Sequence, residues 1–197
     1  MGFMFISKSK TAGALVLASV LLFAGCEGVT HEPKVDVASL KDISTEDFYS
    51  ALSTVGVDES DTQLLENTTF TFSEDDTEYD VIYGIDASSD TDNFYSYTKC
   101  ADEATAKALF EYYYSGYTFL FDSKDFSGIQ SHEVGGNTAY LLIDGRYDDK
   151  NSGTYTPYHD ALFLKGDMVI VAMASDYDLS IEKEVNNFLD ALGYPHP

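Results

Sequence analysis

Cys100, His132, His159 and Asp160 are the residues of this chain whose types could together do covalent chemistry: a thiol, two imidazoles able to take its proton, and a carboxylate able to orient one of them. The thiolate is the nucleophile, so such a site needs the base within hydrogen-bond reach of the sulfur. No family signature surrounds Cys100, and its position just beyond a β-favouring run reads as a buried, inert thiol at a strand end. The histidines, His31, His132, His159 and His196, are scattered, without the helical spacing of a zinc pair and without a cysteine doublet. There is no strand-to-helix serine elbow and no glycine-rich phosphate loop. The sequence therefore assigns no catalytic residue, no metal ligand and no cofactor.

Two acidic turns, Asp86 with Asp90 and Asp92, and Asp144 with Asp148, Asp149 and Asn151, offer the oxygen atoms calcium prefers. Neither keeps the EF-hand register, because Phe94 and Gly153 stand where the next ligand is expected. Tyr112, Tyr113, Tyr114 and Tyr117 could stack on sugar rings, but at helical spacing one or two of them must face the core, so they read as core and amphipathic boundary. Eleven Lys and Arg against 34 Asp and Glu give a net charge of −23, which repels nucleic-acid phosphates and fits a solvated acidic face. With 44% hydrophobic and 14% aromatic residues the chain is globular in composition rather than disordered.

At the amino-terminal end, Lys8 and Lys10 precede an apolar or small-residue run from Ala12 to Ala24. The run is shorter than the roughly 20 residues that cross a bilayer, and no charged stop-transfer cluster follows it, so it reads as the core of an export signal. It ends in Phe23, Ala24, Gly25 and Cys26, which resemble the lipobox of bacterial lipoproteins, with Phe23 where Leu is usual. The resemblance implies cleavage by signal peptidase II after residue 25, lipidation of Cys26, and retention by acyl chains on the extracytoplasmic side of the cell membrane. Cys100 would then be the one cysteine left, with no partner for an intrachain disulfide. The mature chain would set nine cations against 34 acidic residues.

The elements that must position these groups follow from short-range signals. Residues 26–42 are polar, carry Pro33 and show no sustained period, which predicts a flexible tether ahead of a domain over 43–197. Ser44, with Asp47 in the capping-box position and Ile43 able to staple onto Phe48, predicts a helix start, and Gly56 its stop. Alternating runs at Thr69 to Phe72, Tyr79 to Asp86 and Phe94 to Thr98 read as antiparallel strands. Asp102 caps a second helix through Ala106, Leu109, Phe110 and Tyr113 to Gly116. A strand over Ala139 to Asp144 leads into a polar loop, and Gly166-Asp167 joins Ala161–Lys165 to Met168–Ala174 as a hairpin. Ile181, Val185, Phe188, Leu189 and Leu192 form the stripe of a last helix that Gly193 ends.

These elements predict a single α+β domain, a largely antiparallel sheet with about three helices on one face. Gly116-Tyr117 and Gly193-Tyr194 echo each other, which leaves two related β-β-α units open. The layout resembles small surface lipoproteins of Gram-positive anaerobes and implies no activity. The expectation is a non-enzymatic envelope module whose partner is an envelope protein, a wall polymer or a small ligand. A surface hydrolase would instead require Cys100, His132 and His159 to converge in a cleft, and an envelope assembly factor a symmetric apolar surface.

Overall fold

The computed structural model describes the backbone at 30–31 and 179–181, and backbone with side chains at 34–71, 78–174 and 182–197. The expected signal over 1–25 and the expected lipidation site Cys26 lie outside the described residues.

Among the described residues eight strands form one sheet: β1 (Thr30–His31), β2 (Thr62–Thr71), β3 (Glu78–Ser88), β4 (Phe94–Cys100), β5 (Phe126–Glu133), β6 (Thr138–Asp149), β7 (Thr154–Lys165) and β8 (Met168–Met173). Their spatial order is β1-β5-β6-β7-β8-β4-β3-β2, antiparallel throughout except for the short parallel pair of β1 with β5. Among the described residues three helices complete the fold: α1 (Thr45–Thr54), α2 (Glu103–Ser115) and α3 (Leu179–Leu192). The α+β class and single domain expected from the sequence are what the chain forms. Among the described residues no helix is long and apolar enough to cross a membrane.

The local signals operate as physical chemistry demands. Ser44 accepts from the Asp47 amide while Asp47 accepts from the Ser44 amide, closing the capping box of α1, and Ile43 and Phe48 are buried in one cluster. Asp102 accepts from the Thr105 amide at 2.8 Å at the start of α2. Gly56 and Gly193 take the left-handed conformation, with φ of +78° and +74°, so that the amides of Val57 and Tyr194 return to the carbonyls of Leu52 and Leu189. Gly166, at φ +60°, turns β7 into β8 as expected.

The helices do not share one face, which corrects the expected layering. Tyr140, Leu142, Phe163, Ile170 and Ala172 pack with α1 and α3 on the first face, whereas the alternate residues Leu141, Ile143, Leu162, Val169 and Val171 pack with α2 on the second. The central strands are therefore apolar on both sides, and a run such as Met168–Met173 has no polar side to betray which helix lies where. The same arrangement excludes related β-β-α units. β4 and β8 are antiparallel neighbours, so a two-fold relating them must stand normal to the sheet and keep both helices on one face; α2 and α3 lie on opposite faces. Gly116, with φ in the right-handed helical region at −63°, also differs from Gly193.

The packed body starts before residue 43. Val37 is buried in the first-face core, Lys165 donates to the Leu40 carbonyl and pairs with Asp42 at 2.8 Å, and the Tyr194 hydroxyl donates to the Lys41 carbonyl. Residues 34–42, part of the expected flexible tether, are thus a strap lying along the domain, because the apolar Val35, Val37 and Leu40 have core surface within reach.

Candidate functional site

The residues that could have formed a thiol hydrolase are kept apart by sheet register. His132 on β5 is level, through Leu141, Leu162 and Val171, with Ser96 on β4, four strands away and four residues short of Cys100. At about 4.8 Å between strands and 3.3 Å per residue, the two positions are about 23 Å apart. His159 projects from the opposite face to Cys100. Cys100 itself is fully buried, and that burial pushes its thiol up to about 12, with the carboxylates of Asp167 and Asp102 adding to the effect. Cys100 therefore meets neither His132 nor His159.

Asp160 cannot orient His159 either, because adjacent strand residues point to opposite faces. His159 lies on the first face, with Nδ1 3.2 Å from Asp144 Oδ1 and Nε2 2.9 Å from Asn186 Oδ1. Both partners accept, so both ring nitrogens donate, as an imidazolium does. Burial works against that charge, and the hydrogen bonds to Asp144 and Asn186 outweigh it, leaving the imidazole pKa above its ordinary value. Asp160 points into the second face, where its carboxylate accepts from the Tyr117 hydroxyl at 2.9 Å and the Ala174 amide at 3.1 Å, and burial raises it to about 6. These groups tie elements together; both are closed to solvent.

The second acidic turn is likewise engaged. Asp149 accepts from the Asn151 amide and the Ser152 hydroxyl, Asp148 pairs with Arg146 at 3.3 Å, and Asp144 holds His159. Among the described residues no three His, Cys, Asp or Glu side chains gather as a metal site. Of the tyrosines, Tyr117 is buried, Tyr114 bonds His132 Nδ1 at 2.8 Å beside the stacked Phe121 ring, and Tyr112 is 57% exposed. They form the core-to-surface boundary the spacing predicts, not a platform. His196 is at the surface, 3.7 Å from Asp190.

The open surface features lie where the sequence reading placed a polar loop. The segment after Asp144 continues as strand, and β6 and β7 pair residue for residue out to Asp149 and Thr154. This hairpin passes well beyond β8, which ends at Met173 opposite Asp160. At its outer part Ser127, Gly145, Arg146 and Tyr155 line a hollow of about 330 Å³. Arg146, the single arginine of the chain, stands 6.0 Å from the Tyr155 ring centroid, and Tyr155 is 57% exposed. On the other face Phe119, 52% exposed, meets Tyr147 edge-on at 5.3 Å. The alternation Arg146, Tyr147 and Tyr155, Thr156 around Lys150–Gly153 was a hairpin signal that the polar composition hid. A second hollow, about 410 Å³, lies between the strap and the top of the sheet, lined by Lys34, Val37, Glu133, Thr138 and Tyr140.

No family model matches the chain, and no curated protein matches its sequence. Among solved structures, the extracellular domain of PknH from Mycobacterium tuberculosis aligns with 83% of this chain and 99% of its own, at 9% identity and a TM-score of 0.27. A likeness of that size carries no inference about fold or function.

Proposed function

We propose that this chain is a lipoprotein held on the extracytoplasmic face of the cell membrane through acylated Cys26, and that its α+β domain acts there as a non-enzymatic binding module of the envelope. The observation that carries the reading is the apolar run from Ala12 to Ala24, preceded by Lys8 and Lys10 and ending two residues before Cys26. Two acyl chains retain a protein firmly where one does so marginally. The separation of Cys100, His132 and His159 favours binding over covalent catalysis, and the acidic body points to an envelope protein, a wall polymer or a small ligand rather than nucleic acid.

Intact-mass measurement of the protein extracted from membranes tests the anchor. The expected species begins at Cys26 and carries a diacylglyceryl group, and Cys26→Ala abolishes acylation. An unprocessed amino terminus, or a mature one without fatty chains, overturns the reading. Covalent turnover by the purified protein that is lost on Cys100→Ala, His132→Ala or His159→Ala would overturn the non-enzymatic part.

A further inference from the structure

We propose that the corner formed by the start of β5 and the tip of the β6–β7 hairpin rests on the membrane that holds the Cys26 acyl chains, an inference that depends on Cys26 being acylated. β1 runs parallel to β5 with Thr30 opposite Ile129, so the chain enters β1 from the end at which β5 begins. Cys26 precedes Thr30 by four residues, a span of at most about 14 Å. Ile129 is opposite Asp144, and the hairpin continues from there through Asp149 to its turn, a further five residues or about 17 Å. Reach and projection are nearly equal. The anchor therefore cannot hold the domain clear of the lipid, and the part that meets the surface is this corner.

Its composition suits an interface. Exposed Phe119 and Tyr155 straddle the sheet there, and aromatic rings favour the headgroup region. Lys124, Arg146 and Lys150 supply charged heads on aliphatic stems that can lie along the boundary. They stand against four carboxylates, Asp122, Asp125, Asp148 and Asp149, two of which pair with Lys150 and Arg146. The rest of the mature chain sets six cations against thirty acidic residues. A near-neutral corner on a strongly acidic body is the part least repelled by an anionic leaflet, so charge orients the domain in the same sense as the anchor. The hollow beside Arg146 and Ser127 offers a guanidinium and a hydroxyl to a lipid phosphate.

The test uses the acylated full protein, purified from membranes and reconstituted in vesicles of phosphatidylcholine with phosphatidylglycerol. A fluorophore is attached to Ser152→Cys at the tip or to Asn137→Cys at the opposite end, with Cys100 buried and Cys26 blocked. Nitroxide-bearing lipids should quench the tip label several-fold more than the distal one, and Phe119→Ser with Tyr155→Ser should remove most of the difference. Equal quenching at both positions in vesicles that carry the protein on flotation overturns the docking alone. Failure of the unlabelled protein to float with vesicles overturns the anchor, and the docking with it.

Discussion

The Tyr117 hydroxyl donates to Oδ2 of Asp160 at 2.9 Å, joining the segment after α2 to β7, while Oδ1 of the same carboxylate receives the Ala174 amide at the end of β8. Burial raises this carboxyl to about 6, so the folded protein holds a proton that the unfolded chain releases near its ordinary value of 3.8. Between those values the folded state binds more protons, and stability falls as pH climbs through the window. His159 acts in the same sense: its pKa is raised, so its contribution is present below the ordinary 6.5 and is lost as pH rises through the folded value. Asp47, held down to about 2 by Lys41 and Ser44, contributes above its ordinary 3.8 and is lost as pH falls below that. Urea midpoints should therefore peak near pH 4 and decline toward pH 8. In Asp160→Asn the pH 4 to 7 decline should shrink by an amount on the order of 2 kcal/mol; an unchanged slope would show that Asp160 is not the titrating group.

Gly128 and Gly145 face each other across β5 and β6. A methyl group at Gly145 would lie 2.4 Å from the Ser127 carbonyl oxygen and 2.9 Å from Phe126, and one at Gly128 would lie 2.2 Å from the Asp144 carbonyl oxygen. Each glycine also has a φ, +159° and +152°, that side-chain-bearing residues rarely adopt. Gly145→Ala should lower unfolding free energy by about 2–4 kcal/mol, against about 1 kcal/mol for Gly136→Ala, where only the positive φ resists. Equal losses in denaturant titrations would mean that the strands can part without cost.

Cys100 should not react with a maleimide at pH 8 while the protein is folded, because the thiol is enclosed and its pKa is pushed up to about 12. Labelling should follow unfolding, rising with urea in step with loss of circular dichroism. Rapid stoichiometric labelling in native buffer would contradict the burial.

Glu184 on α3 accepts from the Tyr95 hydroxyl at 2.8 Å, the Asn93 side-chain amide at 3.1 Å and the Thr91 hydroxyl at 2.9 Å, fastening the β3–β4 turn to the helix. Tyr95 and Asn93 are fully buried, so Glu184→Ala strips a charged acceptor from enclosed donors and should cost about 2–3 kcal/mol. Tyr95→Phe, which removes one of the three donors, should cost less. Thermal melts of the two variants check the order.

The features legible from residue order alone are local ones. Ser44, Asp47, Asp102, Gly56 and Gly193 mark helix ends because caps and left-handed turns are settled by hydrogen bonds and dihedrals within five residues. Gly166 marks the β7–β8 hairpin for the same reason, and the stripe Val185, Phe188, Leu189 and Leu192 marks the buried side of α3. That α2 covers the face opposite α1 and α3 emerges from long-range packing, since strands apolar on both sides accept a helix from either direction. Long-range pairing also makes Asp144 to Asp149 strand rather than loop, because a polar segment becomes a strand when Thr154–His159 offers it a ladder of hydrogen bonds. The exposed corner carrying Arg146 and Tyr155, and the distance between Cys100 and His132, follow from which strands lie side by side. That pairing is set by contacts among residues far apart in the chain, and no short-range spacing records it.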